Sequence, residues 1–114
     1  MNHVHNFLEW MREEGKDPKT IVAYNPIVNK FMEWLQGNDT SIEQVKPIDV
    51  KEYLSFLRHT ENKSQATINK ATAGLITFFA WLVDNDIVKD NLMTRIKIQK
   101  VQASDEINKN DTMK

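Results

Sequence analysis

The chain has 114 residues, with fifteen Lys and Arg against sixteen Asp and Glu, no Cys, and a formal net charge of −1. The lack of cysteine excludes a disulfide framework and thiolate metal sites, and fits a cytoplasmic protein held together by packing. The near-neutral balance excludes a surface that is cationic all over, so any grip on a polyanion must come from uneven placement of charge.

From His3 to Glu14, the apolar residues Val4, Phe7, Leu8 and Met11 fall at i, i+3, i+4 and i+7, which predicts a helix over about 3–14 that Gly15 ends. A second helix, about 18–36, has Asp17 as N-cap, Pro18 in its first turn, and Gly37 as a left-handed closing residue. Its stripe is Ile21, Tyr24, Val28, Phe31 and Leu35, and Pro26 inside it predicts a kink or a broken turn. GNDTSIEQVKP is polar and turn-rich, with Ile42 and Val45 as plugs beneath it. A third helix, about 47–59, starts at Pro47 and buries Val50, Tyr53, Leu54 and Leu57. The fourth, about 65–84, follows Ser64 as N-cap and carries Ile68, Ala71, Leu75, Phe78 and Leu82. Beyond Asn85, the apolar residues Ile87, Val88, Leu92 and Ile96 predict a coil that packs back on the helices. QASDEINKNDTMK is polar and aperiodic. No strand-like alternation is sustained, so the fold class is all-α, a four-helix bundle with a C-terminal coil. No apolar run approaches the ~20 residues that cross a bilayer, and no membrane partner is expected.

One stretch is written twice. KDPKTIVAYNPIVNKFMEWL from Lys16 and KSQATINKATAGLITFFAWL from Lys63, laid together without a gap, share Lys16/Lys63, Thr20/Thr67, Ile21/Ile68, Phe31/Phe78, Trp34/Trp81 and Leu35/Leu82. Two amphipathic helices packed on the same neighbours account for the aromatic matches, but not for the lysines. At 100° per residue, Lys16, Lys19, Ala23 and Lys30 lie within about 60° of one another, away from the apolar stripe. In the fourth helix the same sector holds Lys63, Ala66, Lys70 and Thr77, with Asn69 and Ala73 beside it, and no acid stands between Asn62 and Val83. Free N–H groups at both helix starts add to that positive character, so the pair suits a phosphate backbone.

The run FLEWMREEGKDPKTIVAYNPIVNKFMEWL, then VKPIDVKEYLSFLRH, then NKSQATINKATAGLITFFAWLVDNDIVKDN, resembles the N-terminal core-binding (SAM-like) domain of phage integrases and other tyrosine recombinases. The resemblance covers about Val4 to Val101. It implies a four-helix SAM-like bundle forming half of a clamp on double-stranded DNA, with residues 1–101 as the DNA-binding unit and 102–114 as a linker toward a C-terminal catalytic domain. It implies contacts from Lys16, Lys19 and Thr20 at the start of the second helix and from Ser64, Gln65, Thr67, Asn69 and Lys70 on the fourth, to which the doubled lysine pattern adds Lys63 as a candidate DNA contact. Arg95, Lys97 and Lys100 match the family's basic connector. Other recombinase subunits on DNA are further implied partners. The chain departs from the family at Ile76 and Thr77, where Arg or Lys is frequent, and at Asn91-Leu92, where Asn-Pro is common. The missing positive groups at Ile76 and Thr77 imply weaker phosphate attachment, and Asn91-Leu92 implies an altered connector at the clamp hinge.

No catalytic residue, cofactor or metal is expected in this chain. Tyr24 and Tyr53 lie on core stripes, and His3 and His5 lack carboxylates at zinc-site spacing. The alternative is a helical protein-interaction module anchored on tryptophans. Trp34 and Trp81 are expected to edge the core, while Trp10, off the first stripe, is the candidate contact for another subunit or domain.

Overall fold

Four α-helices form where the stripes fall: α1 (His3–Glu13), α2 (Pro18–Gly37), α3 (Pro47–Ser55) and α4 (Gln65–Asp84), in a computed structural model that describes residues 2–89 and 92–95. A 3₁₀ turn (Ile42–Gln44) precedes α3, and another (Leu92–Arg95) follows α4. No strand occurs among the described residues. The caps follow local chemistry. Asn2 accepts from the His5 amide, Asp17 from the Lys19 amide and Ser64 from the Thr67 amide, each satisfying a donor that the first turn leaves free.

Three local expectations are corrected. Gly37 is the last helical residue of α2 rather than its left-handed cap: the cap is Asn38, and the positive φ of 54° falls on Asp39. The Asn38 side-chain amide donates to the Trp34 carbonyl at 2.8 Å, which closes the helix without glycine. The second correction concerns the broken turn expected at Pro26: the helical assignment of α2 runs through it from Pro18 to Gly37. Pro26 and Val22 are both exposed, so the Val22 carbonyl deprived of its partner faces water, where it is satisfied cheaply. Third, the predicted helix over 47–59 is α-helical only to Ser55 and then widens into a π-helical turn, Phe56–Thr60, in which the Glu61 amide donates to the Phe56 carbonyl at 3.1 Å. Such widened turns keep the backbone bonded while re-aiming side chains.

The repeat reaches further than the shared letters first indicate. At the end of α4, Asn85 donates to the Trp81 carbonyl at 2.9 Å, and Asp86 takes the positive φ of 57°. Both long helices therefore stop by the same device, Trp-Leu-x-x-Asn-Asp.

Phe31 is fully buried at the meeting of three helices, with its ring 5.2 Å from Tyr53 of α3 and 5.9 Å from Phe79 of α4. A second cluster joins α1 to α4, where Phe7 lies 5.1 Å from Phe78 and 5.8 Å from Trp81. Ile42 and Val45 are buried as plugs, and Ile87, Val88 and Leu92 pack back on the core. Ile96 lies outside the described residues. Trp34 edges the core as expected, but Trp81 is inside it, because α1 covers that side of α4. By length and composition α4 is apolar enough to cross a membrane, which corrects the expectation that no run approaches that length. Half of it is buried in the bundle, where it serves as the central core helix.

Gly74 fixes how α2 and α4 meet. A Cβ there would lie 3.0 Å from Ile27 and 3.4 Å from Tyr24, so the backbone of α4 comes close to α2 only because that position has no side chain. Gly74 meets Ile27, and farther on Phe79 meets Phe31, so the contacts advance the same way along both helices. Their opening turns both precede the contact.

Burial, and secondarily the Glu61 carboxylate, pushes the Tyr53 hydroxyl well above its ordinary value of 10.0. Unfolded tyrosine releases its proton near pH 10 and the folded one only higher, so the stability this gives is complete below about pH 10 and is lost as pH rises beyond it. Tyr53→Phe is expected to flatten that alkaline loss, and thermal melts between about pH 8 and 11 check it.

Candidate nucleic-acid interface

The cations of α2 and α4 do not share one fate. Lys30, placed by sequence in the basic sector, forms an ion pair with Glu61 across the gap between α2 and the turn before α4. It is therefore not a free contact, but it cancels the acid nearest the start of α4. Lys16 rests over the Trp10 ring at 6.0 Å, and Trp10 in turn stacks on Phe7 at 6.1 Å. That cation–π contact places the ammonium group beside the α1–α2 turn. Lys19, Lys63 and Lys70 are exposed and enter no ion pair among the described residues.

The two helix starts also differ. At α2 the capping group is the Asp17 carboxylate, 2.8 Å from the Lys19 amide, and its negative charge offsets the positive end of the helix. At α4 the cap is the neutral Ser64 hydroxyl, which accepts from the Thr67 amide at 3.2 Å and donates to the Thr67 hydroxyl at 3.1 Å. With no acid from Asn62 to Val83 and Glu61 paired away, the opening of α4 is the more positive of the two.

Of the residues singled out in sequence, Lys16, Lys19, Lys63, Ser64, Thr67 and Lys70 are exposed, while Thr20, Gln65 and Asn69 are half-buried. The structure links the α4 group closely. Gln65 donates to Asn69 at 2.9 Å, and Gln65 itself accepts from Arg58 of the π-helical turn. Arg58, placed inside the predicted third helix, is the residue that sequence reading did not single out, because no spacing rule ties it to Gln65. Only the backbone of Arg95 is described, at the end of the second 3₁₀ turn, and Lys97 and Lys100 lie outside the described residues.

A cleft of about 630 Å³ lies at the other end of α2, between the start of α1 and the first 3₁₀ turn. There His3 Nε2 stands 3.6 Å from Glu43 and the Ser41 hydroxyl donates to Gln44, so no nucleophile is paired with a base. Among the described residues, no three His, Cys, Asp or Glu side chains are gathered to hold a metal ion.

Residues 4–89 match the family model described as phage integrase, N-terminal SAM-like domain. The chain is 27% identical over 97 residues to tyrosine recombinase XerC of Leptospira interrogans, covering 84% of this chain and 31% of that protein. It is 30% identical over 92 residues to tyrosine recombinase XerC of Pediococcus pentosaceus, covering 77% of this chain and 30% of the relative. Over 108 residues it is 23% identical to the TnP I resolvase of Bacillus thuringiensis, covering 91% of this chain and 38% of that one. The chain thus spans about a third of the length of the curated relatives it matches. No solved structure matches.

Proposed function

The chain belongs to the phage integrase N-terminal SAM-like domain family, and from that premise we propose that it is the core-binding domain of a tyrosine recombinase, holding duplex DNA at a recombination site. Strand cleavage and rejoining then fall to a catalytic domain joined to it, with other recombinase subunits as partners on DNA in the cytoplasm. The observation that carries this reading is the opening of α4, where Lys63 and Lys70 enter no ion pair among the described residues, the cap is neutral, and Lys30 pairs with the nearest carboxylate. Lysines in that setting bind phosphate chiefly by releasing counterions, which makes the affinity fall steeply with salt.

The isolated chain is expected to bind any duplex weakly, with Kd on the order of 10⁻⁴–10⁻⁶ M at physiological salt and little sequence preference. Fluorescence anisotropy over a salt series checks this. The competing reading, a helical interaction module, draws on Val22 and Ile48, exposed by 72% and 55%. Apolar docking of that kind strengthens or holds as salt rises, so a flat or rising salt profile would reject the DNA reading.

A further inference from the structure

Glu61 occupies a cation that the fold has otherwise set in line with the interface. On a helix turning about 100° per residue, Lys30 stands within about 20° of Lys19 and about 16 Å farther along, so both belong to one line of α2. Lys19 is exposed and enters no ion pair among the described residues. What sets Lys30 apart is the carboxylate it meets. Arg12 and Glu9 pair as neighbours on one helix, whereas Lys30 reaches Glu61 from thirty-one residues away.

The two side chains are 40% and 28% exposed, so water screens the pair and it adds little to the stability of the fold. Its effect on a polyanion is larger. A lysine held by a carboxylate brings no net charge to a phosphate and releases no counterion there. Lys30 also has a reason to stay where it is. After burial, the Glu61 carboxylate is the second cause that raises the Tyr53 hydroxyl, so a departing Lys30 would leave an uncompensated acid close to a buried phenol. Arg58, three residues before Glu61, is turned to Gln65.

We propose that Glu61 limits the affinity of this interface: it stands in for a phosphate at Lys30 and keeps a further cation of α2 out of the DNA contact. This rests on the DNA-binding reading above.

Anisotropy over a salt series, on the full chain and two variants, tests it. Glu61→Gln keeps the side-chain shape and removes the charge; it is expected to bind every duplex roughly tenfold more tightly at 50 mM salt, with a slope in log K against log salt steeper by about 0.9. Adding Lys30→Met to Glu61→Gln is expected to return both affinity and slope to those of the wild type. A tightening that survives Lys30→Met would overturn the proposal, because the gain would then come from lost repulsion and not from Lys30. A double variant roughly tenfold weaker than wild type would also overturn it, since Lys30 would already be holding phosphate. If Lys63→Ala and Lys70→Ala weaken binding while Glu61→Gln leaves it unchanged, the DNA reading stands and the role of Glu61 falls. No duplex binding at low salt by either wild type or Glu61→Gln removes both.

Discussion

Phe31→Ala is expected to destabilise the protein by about 3–5 kcal/mol, the range for emptying a fully buried aromatic site. The ring is inaccessible to solvent and packs on Tyr53 and Phe79 at once, so its removal leaves a void where α2, α3 and α4 meet and also forfeits two edge-on aromatic contacts. Domains of this size have only about 5–15 kcal/mol of stability in total, so the loss takes the variant close to unfolding. Urea titration followed by circular dichroism measures it. Val22→Ala on the exposed side of the same helix serves as the contrast, with an expected change within about 0.5 kcal/mol. Equal effects at the two positions would show that α2 is not packed through Phe31.

Exchanging Lys63 and Lys70 together for alanine is expected to lower affinity for every duplex by roughly a hundredfold at 50 mM salt. Each phosphate contact contributes a slope of about −0.9 in log K against log salt, which amounts to about one decade per lysine between 1 M and 50 mM. The slope itself should flatten by about two contacts. The same double change at Lys16 and Lys19 is expected to have the smaller effect, because the Asp17 carboxylate sits within that group and Lys16 is held on Trp10. A larger loss from the Lys16 and Lys19 pair would move the centre of the interface to α2. Since all four are exposed, circular dichroism should show the helices intact in both variants.

The helices were legible because their signals are local. The stripes of α1 and α4, the caps Asp17 and Ser64, and the prolines that open α2 and α3 are all set by neighbours a few residues away, and the structure places them as the periodicity predicts. Gly37 misled because glycine is the usual left-handed residue, whereas here an asparagine amide satisfies the Trp34 carbonyl and the left-handed position passes to Asp39. The matching Asn38 and Asn85 ends were visible in the letters, yet their meaning depends on a hydrogen bond that letters do not show. The charge pattern was legible only in part. That Lys30 faces Glu61, thirty-one residues away, is a tertiary fact, as is the Arg58–Gln65 contact. Both change which cations remain available, and neither has a spacing rule that would reveal it.

The widened turn at Phe56–Thr60 also governs how this molecule tolerates changes in length. A ring closed from residue 61 back to 56 contains one residue more than an α-turn needs, so deleting a single codon there would let the helix wind on regularly and swing the downstream chain by about 100°. Every amino acid of α4 would survive such an event, and its cationic opening would still face the wrong way. Lineages that lengthen or shorten this chain are therefore expected to do so in the loop around 38–41, while the count of residues between Tyr53 and Ser64 stays constant.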